Sequence, residues 1–180
     1  AEFTGPLEFV QFWLDTIIEW EQEHNQDVLV ALSCTKDVQD AVLQDKVREP
    51  HVDIIDIRYW TYDKNFELYA PLGGTNLAPR QHLRQLRPSS SSIESVIHAV
   101  REYRRRFPDK AVLYNADLNC RSPNKGWAVL LGGGSLANVT LPAALAQEIP
   151  KMKVPDEEDR HQKFPWYLSS GEGDLLIHLA

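Results

Sequence analysis

The chemistry-bearing side chains of this chain fall in short clusters, each closing an apolar run. Ser33-Cys34-Thr35-Lys36 follows Val28 to Leu32, and Arg58-Tyr59-Trp60 follows Ile54 to Ile57. Tyr114-Asn115-Ala116-Asp117 closes Ala111 to Tyr114, and Gly132-Gly133-Gly134 closes Trp127 to Leu131. Aromatic rings stack on flat partners and guanidinium forks onto oxygen, so Arg58, Tyr59, Trp60, Tyr114, Asn115 and Trp127 make a candidate ligand-binding set. The competing reading puts these aromatics in the core or an interface, since strand ends are more polar than strand middles in any fold. Asp56, inside Ile54-Ile55-Asp56-Ile57-Arg58, must be paired or hydrogen-bonded if buried, and a structural pairing is the favoured reading.

Other chemistries find little support. His51, His82, His98 and His161 are scattered, and there is no H-E-x-x-H, C-x-x-C or G-x-S-x-G; metal-dependent and serine-hydrolase sites are not expected. Gly132-Gly133-Gly134-Ser135-Leu136-Ala137 fits a G-x-G-x-x-A dinucleotide fingerprint, but no long helix follows before Pro142. Close backbone packing at a strand end is the better account, and no cofactor is expected. Asn138-Val139-Thr140 fits a glycosylation sequon, a match short enough to arise by chance.

These clusters need elements to hold them. Thr4 as cap and Pro6 in the first turn predict a helix along Leu7, Val10, Trp13, Leu14, Ile17 and Ile18, stopped by Asn25. Val28 to Leu32 is a continuous apolar run, as in a strand buried on both faces. Asp37 caps a short helix through Val38, Ala41 and Val42. A strand over 52–59 follows, then a segment over 60–90 with no clear period. That segment carries Arg80, His82, Arg84 and Arg87 and reads as a long loop that covers a site or is simply solvated. Ser91 and Glu94 resemble a capping box. Behind it Val96, Ile97, Val100, Tyr103 and Phe107 form an apolar stripe, while Arg101 and Arg104 to Arg106 read as a solvated face. Ala111–Tyr114 and Trp127–Leu131 read as strands, Ala143–Ile149 as a short helix, and Trp166–Ser169 with Leu175–Leu179 as a hairpin. Strands alternating with helices predict an α/β fold with a parallel sheet, and polar clusters at strand ends favour a (β/α) barrel. Val28–Leu32, Ile54–Ile57, Ala111–Tyr114 and Ala128–Leu131 are expected to be neighbouring parallel strands.

The chain has 180 residues, 43% hydrophobic and 25% charged, a balance that rules out wholesale disorder. Lys and Arg number 19 against 26 Asp and Glu, for a net charge of −7, which argues against a nucleic-acid partner. No apolar run approaches the roughly 18 residues of a membrane helix. The two cysteines are too few for a disulfide scaffold. The abrupt start at Ala1, almost inside a helix, reads as the edge of a larger protein.

Three stretches resemble a known family. Glu2-Phe3-Thr4-Gly5-Pro6 before an amphipathic helix is similar to the end of barrel strand four in clan-A-type glycoside hydrolases. Lys110 to Asp117 resembles their strand seven, and Trp127 to Gly134 their strand eight. The closest resemblance is to apiosidase-like bacterial glycosidases. It implies an α/β fold, the C-terminal portion of a (β/α)8 TIM barrel over residues 1–150, followed by a linker and short β-hairpin over 151–180 that could open a β-rich domain. It also implies a periplasmic or secreted hydrolase of plant or microbial polysaccharide, with Glu2 as acid/base and Asp117 as nucleophile. Two positions depart from the family pattern: Ala1 stands where Asn is expected, and Asp117 where Glu is expected. Carboxyl groups about 5 Å apart give retention and about 6.5–9.5 Å inversion.

The substrate would be an oligosaccharide or polysaccharide, with Arg58, Tyr59, Trp60 and Trp127 on its rings and hydroxyls. The positive segment over 60–90 would suit an anionic sugar. The alternatives are a frayed terminus for Glu2, a loop cap for Asp117, and a non-catalytic carbohydrate-binding or structural fragment for the chain. Such a fragment would be completed by the missing N-terminal half or a second copy, because the apolar faces of Trp13, Ile17, Val96 and Val100 would otherwise lack cover.

Overall fold

The computed structural model describes residues 5–69, 91–116, 123–135, 137–155, 166–170 and 175–178. Helix α1 (Pro6–His24) has Pro in its first turn and ends where Asn25 turns left-handed at φ 51°, its N–H on the Glu21 carbonyl. Leu14 is its buried contact. Phe9, Phe12, Trp13 and Trp20 stay 40–49% exposed.

Strand β1 is only Ala31–Leu32, shorter than the apolar run, and Val28 and Leu29 are exposed. Side chains have taken the backbone groups a longer ladder would use. Glu21 Oε1 accepts from the Val28 N–H at 3.0 Å, and Asp53 Oδ2 from the Val30 N–H at 2.8 Å. Helix α2 (Lys36–Leu43) starts from Thr35 as the residue before its first turn, not from Asp37, whose carboxylate instead accepts from the Val38 N–H. Strand β2 (Ile54–Ile57) and strand β5 (Ala111–Tyr114) form as the apolar runs predict. Between them β3 (Thr61–Tyr62) and β4 (Leu68–Tyr69) pair antiparallel, a small ribbon with no signal in the pattern. Helix α3 (Ile93–Arg106) is capped by Ser92, whose hydroxyl accepts from Ser95 N–H, one residue after the expected cap. Its Val96, Ile97, Val100 and Tyr103 are fully buried, so this stripe is covered within the chain.

The fourth expected strand is a helix. Ala128–Leu131 lies in α4 (Pro123–Leu131). A five-residue apolar run does not distinguish a buried strand from a buried helix, and Ala and Leu are strong helix formers. The glycine triplet is the helix stop. Gly133 adopts φ +78°, its N–H bonds to the Leu130 carbonyl, and the Gly134 N–H to the Val129 carbonyl. This is a Schellman end, which needs a residue free to turn left-handed. Arg101 then departs from the solvated face assigned to it. It is 4% exposed and donates to the Leu131 carbonyl at 3.2–3.3 Å and to Tyr167 O at 3.1 Å. A cation on the last carbonyls of α4 suits the helix dipole.

The TIM-barrel expectation is therefore corrected. The architecture is mixed α/β around a three-stranded parallel sheet in the order β1-β2-β5, with separate two-stranded antiparallel ribbons. The register pairs Leu32 with Ile55, Ile55 with Val112, and Ile57 with Tyr114, all on one face of the sheet. With Val38 and Val42 of α2 and the α3 stripe these make the core. Helix α5 (Ala143–Glu148) leads into a 3-10 turn (Ile149–Lys151), and β6 (Trp166–Ser169) pairs antiparallel with β7 (Leu175–His178), as the expected hairpin. No helix among the described residues is long and apolar enough to cross a membrane.

Candidate functional site

The three parallel strands end on the same side, and alternation divides their residues between two faces. The core face takes Leu32, Ile55, Ile57, Val112 and Tyr114. The other takes Ser33, Asp56, Arg58 and Asn115, because Ser33 lies one step beyond the pair Leu32–Ile55 and Asn115 one step beyond Ile57–Tyr114. A row of polar side chains thus crosses three adjacent strands at their C-terminal ends, the position where open α/β sheets bind ligands.

The row is held together from its centre. Asp56 is 4% exposed, and its Oδ1 accepts from Asn115 Nδ2 at 2.7 Å. Arg58 Nε lies 3.0 Å from Asp56 Oδ2. The charges are paired by distance, yet the Nε–H is not aimed at that oxygen: Arg58 Nε is buried without a hydrogen bond. Ser33 Oγ is likewise buried without a partner. A buried polar group left without a hydrogen bond is costly, so Ser33 Oγ, and Arg58 Nε with its ion pair alone, call for an explanation.

Behind the row the core face fixes the backbone. Gln39 is fully buried, its Nε2 donating to the Leu32 and Asp56 carbonyls at 2.9 Å each and its Oε1 accepting from Trp60 Nε1 at 2.7 Å. One amide therefore ties the end of β1 to β2. Trp60, expected on a ligand, is instead a core residue with 0% exposure and its indole N–H engaged. Tyr114 is also buried, its hydroxyl 2.7 Å from Thr61 Oγ1 and donating to Ser91 Oγ at 3.1 Å. Tyr59 and Arg58 are half-buried at the strand end, and Asn115 is exposed. Trp127 is half-buried on α4, not at a strand end. Glu2 and Asp117, the carboxylates implied as catalytic, lie outside the described residues. Cys34 is buried beside the row, and burial, with the Asp37 charge next, pushes its thiol pKa up.

A second polar group, missed from the sequence, sits on the core side between α2 and α3. Lys36 Nζ is 2.7 Å from Asp40 Oδ2 and 2.6 Å from Glu102 Oε1, over the rings of Trp60 and Tyr103 at 5.1 and 5.2 Å. Arg106 Nη1 reaches Asp40 Oδ1 at 2.8 Å, and the Tyr62 hydroxyl donates to Glu102 Oε2 at 2.6 Å. Every charge here meets an opposite one, so the group reads as scaffold. The i,i+4 spacings Lys36/Asp40 and Glu102/Arg106 were the available signal. Among the described residues no cluster of three or more His, Cys, Asp or Glu could hold a metal.

A family model described as a domain of unknown function, DUF6298, matches residues 1–152, and the chain belongs to that family. No curated protein and no solved structure matches it.

Proposed function

We propose that this member of the DUF6298 family acts on carbohydrate, holding an oligosaccharide or polysaccharide at the C-terminal end of its parallel sheet as a glycoside hydrolase. The observation that carries the reading is a pair of buried polar atoms beside Asp56 that make no hydrogen bond, Ser33 Oγ and Arg58 Nε, the latter only ion-paired with Asp56. A sugar hydroxyl both donates and accepts. It can take the Arg58 N–H and meet Ser33 in one step, relieving both groups. Exposed Asn115 extends the same donor and acceptor set, and half-buried Tyr59 offers a ring to stack on. Asp117, two residues beyond Asn115, is the carboxylate proposed for glycosidic cleavage, with Glu2 as its acid/base partner. Secretion or periplasmic location belongs to the same proposal.

A non-catalytic glycan-binding role is the second reading. It is favoured by Asp56, a carboxylate already committed to Asn115 and Arg58.

Affinity electrophoresis of the chain in gels carrying plant and bacterial polysaccharides, with reducing-end release measured in parallel, tests both. The expected result is retardation by at least one glycan, lost in the Arg58→Met/Asn115→Ala double variant, with circular dichroism unchanged. Retardation without release, unaffected by Asp117→Asn, selects the binding role. No retardation by any glycan, or full retardation of the double variant, overturns the site.

A further inference from the structure

A cavity of about 700 Å³ lies at the other end of β5 from the polar row. Its walls are the last turn of α3, the glycine turn after α4, the 3-10 turn and β6. The volume falls in the range of small-molecule sites, roughly 300–1,000 Å³. Its lining mixes polar side chains, Arg104, Arg105, Lys153 and Ser135, with apolar ones, Leu130, Met152, Val154 and Leu168.

Arg104 sets the chemistry. Its Nε donates to the Gly133 carbonyl at 2.7 Å and its Nη1 to the Pro108 and Lys110 carbonyls at 2.8 and 3.0 Å. Nη2 has only a long contact, 3.5 Å, to Ser135 Oγ. Carbonyls satisfy donors but leave the positive charge unanswered, and no described carboxylate pairs with Arg104. Four other cations of this acidic chain meet carboxylates: Lys36 and Arg106 on Asp40 and Glu102, Arg48 on Asp15 and Asp45, and Lys110 on Glu49. Burial lowers the Arg104 pKa, the mark of a charge held away from water. Exposed Lys153 adds a second cation at the rim.

The backbone narrows the ligand further. The N–H groups of Gly133, Gly134 and Ser135 are engaged by the Leu130, Val129 and Val112 carbonyls. These three amides therefore form no free nest for a phosphate, which such nests usually hold. The two N–H groups left on Arg104 Nη2 and the Ser135 hydroxyl, among apolar side chains, suit a singly charged carboxylate, which needs fewer donors than a phosphate. We propose that this cavity binds an amphipathic carboxylate, a single carboxyl group on an aromatic or branched aliphatic body. The anion meets Arg104 Nη2, Ser135 and Lys153, and the body packs on the apolar lining, Leu130, Met152 and Leu168. The inference does not depend on the carbohydrate reading.

Titration calorimetry on the full chain with phenylacetate, benzyl alcohol, acetate and inorganic phosphate tests it. Phenylacetate is expected to saturate a single site, with benzyl alcohol and acetate each weaker by about tenfold or more. Met152→Trp, which adds bulk to the cavity lining, is expected to abolish binding, and Lys153→Gln to weaken it, with unfolding midpoints close to the parent. Absence of saturable phenylacetate binding overturns the proposal. So does benzyl alcohol binding as tightly, phosphate binding more tightly, or unchanged phenylacetate binding in a folded Met152→Trp variant.

Discussion

Replacing Gln39 with Leu should be one of the most damaging single changes in this chain. The side chain is fully buried and makes three hydrogen bonds, two to backbone carbonyls of adjacent strands and one from the indole of Trp60. Leu is of similar volume, so little cavity forms and the loss is almost wholly polar. Each carbonyl keeps a second lone pair and loses only the net worth of one bond, about 1 kcal/mol. The indole N–H loses its partner inside the core, at about 1–3 kcal/mol. The expected destabilisation is therefore about 3–5 kcal/mol, or a fall in Tm of roughly 10 °C for a chain of this size. Urea unfolding followed by Trp fluorescence and by far-UV circular dichroism gives the number. A double-mutant cycle isolates the indole share: with Trp60→Phe already present, no N–H remains to orphan, so Gln39→Leu should cost less by about 1–3 kcal/mol. A loss under about 1 kcal/mol, or strict additivity with Trp60→Phe, would refute the role given to this amide.

Three further outcomes follow from burial, charge and close packing. Cys34 should resist alkylation at mildly alkaline pH in a Cys120→Ser background and react on unfolding, because burial raises its thiol pKa; native labelling at the unfolded rate would contradict this. The Glu21 carboxylate is held below its ordinary pKa by the Val28 N–H first, with the hydrogen bond and charge of His51 adding. Its contribution is thus present above the usual carboxylate range and lost as pH falls through it. The stability deficit of Glu21→Gln in urea should be largest near neutrality and shrink on acidification; a deficit that grows in acid would reverse the sign. A Cβ added at Gly126 would stand 2.1 Å from the Asn138 backbone oxygen, whereas one at Gly134 meets the Val129 side chain at 2.6 Å. Gly126→Ala should therefore lose about 2–3 kcal/mol in thermal or urea unfolding, more than Gly134→Ala.

Local signals located most elements and failed where two structures share one signal. Pro6 and Asn25 bracket α1, the serines start α3, and the isoleucine and valine runs of β2 and β5 form strands, since each of these choices is decided within a few residues. Ala128–Leu131 reads as a strand from sequence yet folds as helix, because a short apolar run buries equally well as either. The decision came from Gly133 turning left-handed and from Arg101 receiving the end of the helix. The arginine run showed only its charge in the sequence; which arginines are buried depends on α4 lying against α3.

Composition, charge and motif content determined by themselves that this is an acidic, folded α/β chain without a metal or dinucleotide signature. They also placed Arg58, Tyr59, Tyr114 and Asn115 at strand ends. Only the tertiary structure separated those residues by face. Parallel register put Asp56, Arg58, Asn115 and Ser33 on one side of the sheet and sent Tyr114 into the core, while the Gln39 bond drew Trp60 in with it. The physical reason is that a side chain's face depends on its strand's alternation, but its neighbours depend on how strands distant in sequence align. That alignment is set by the whole core, and no local run of residues encodes it.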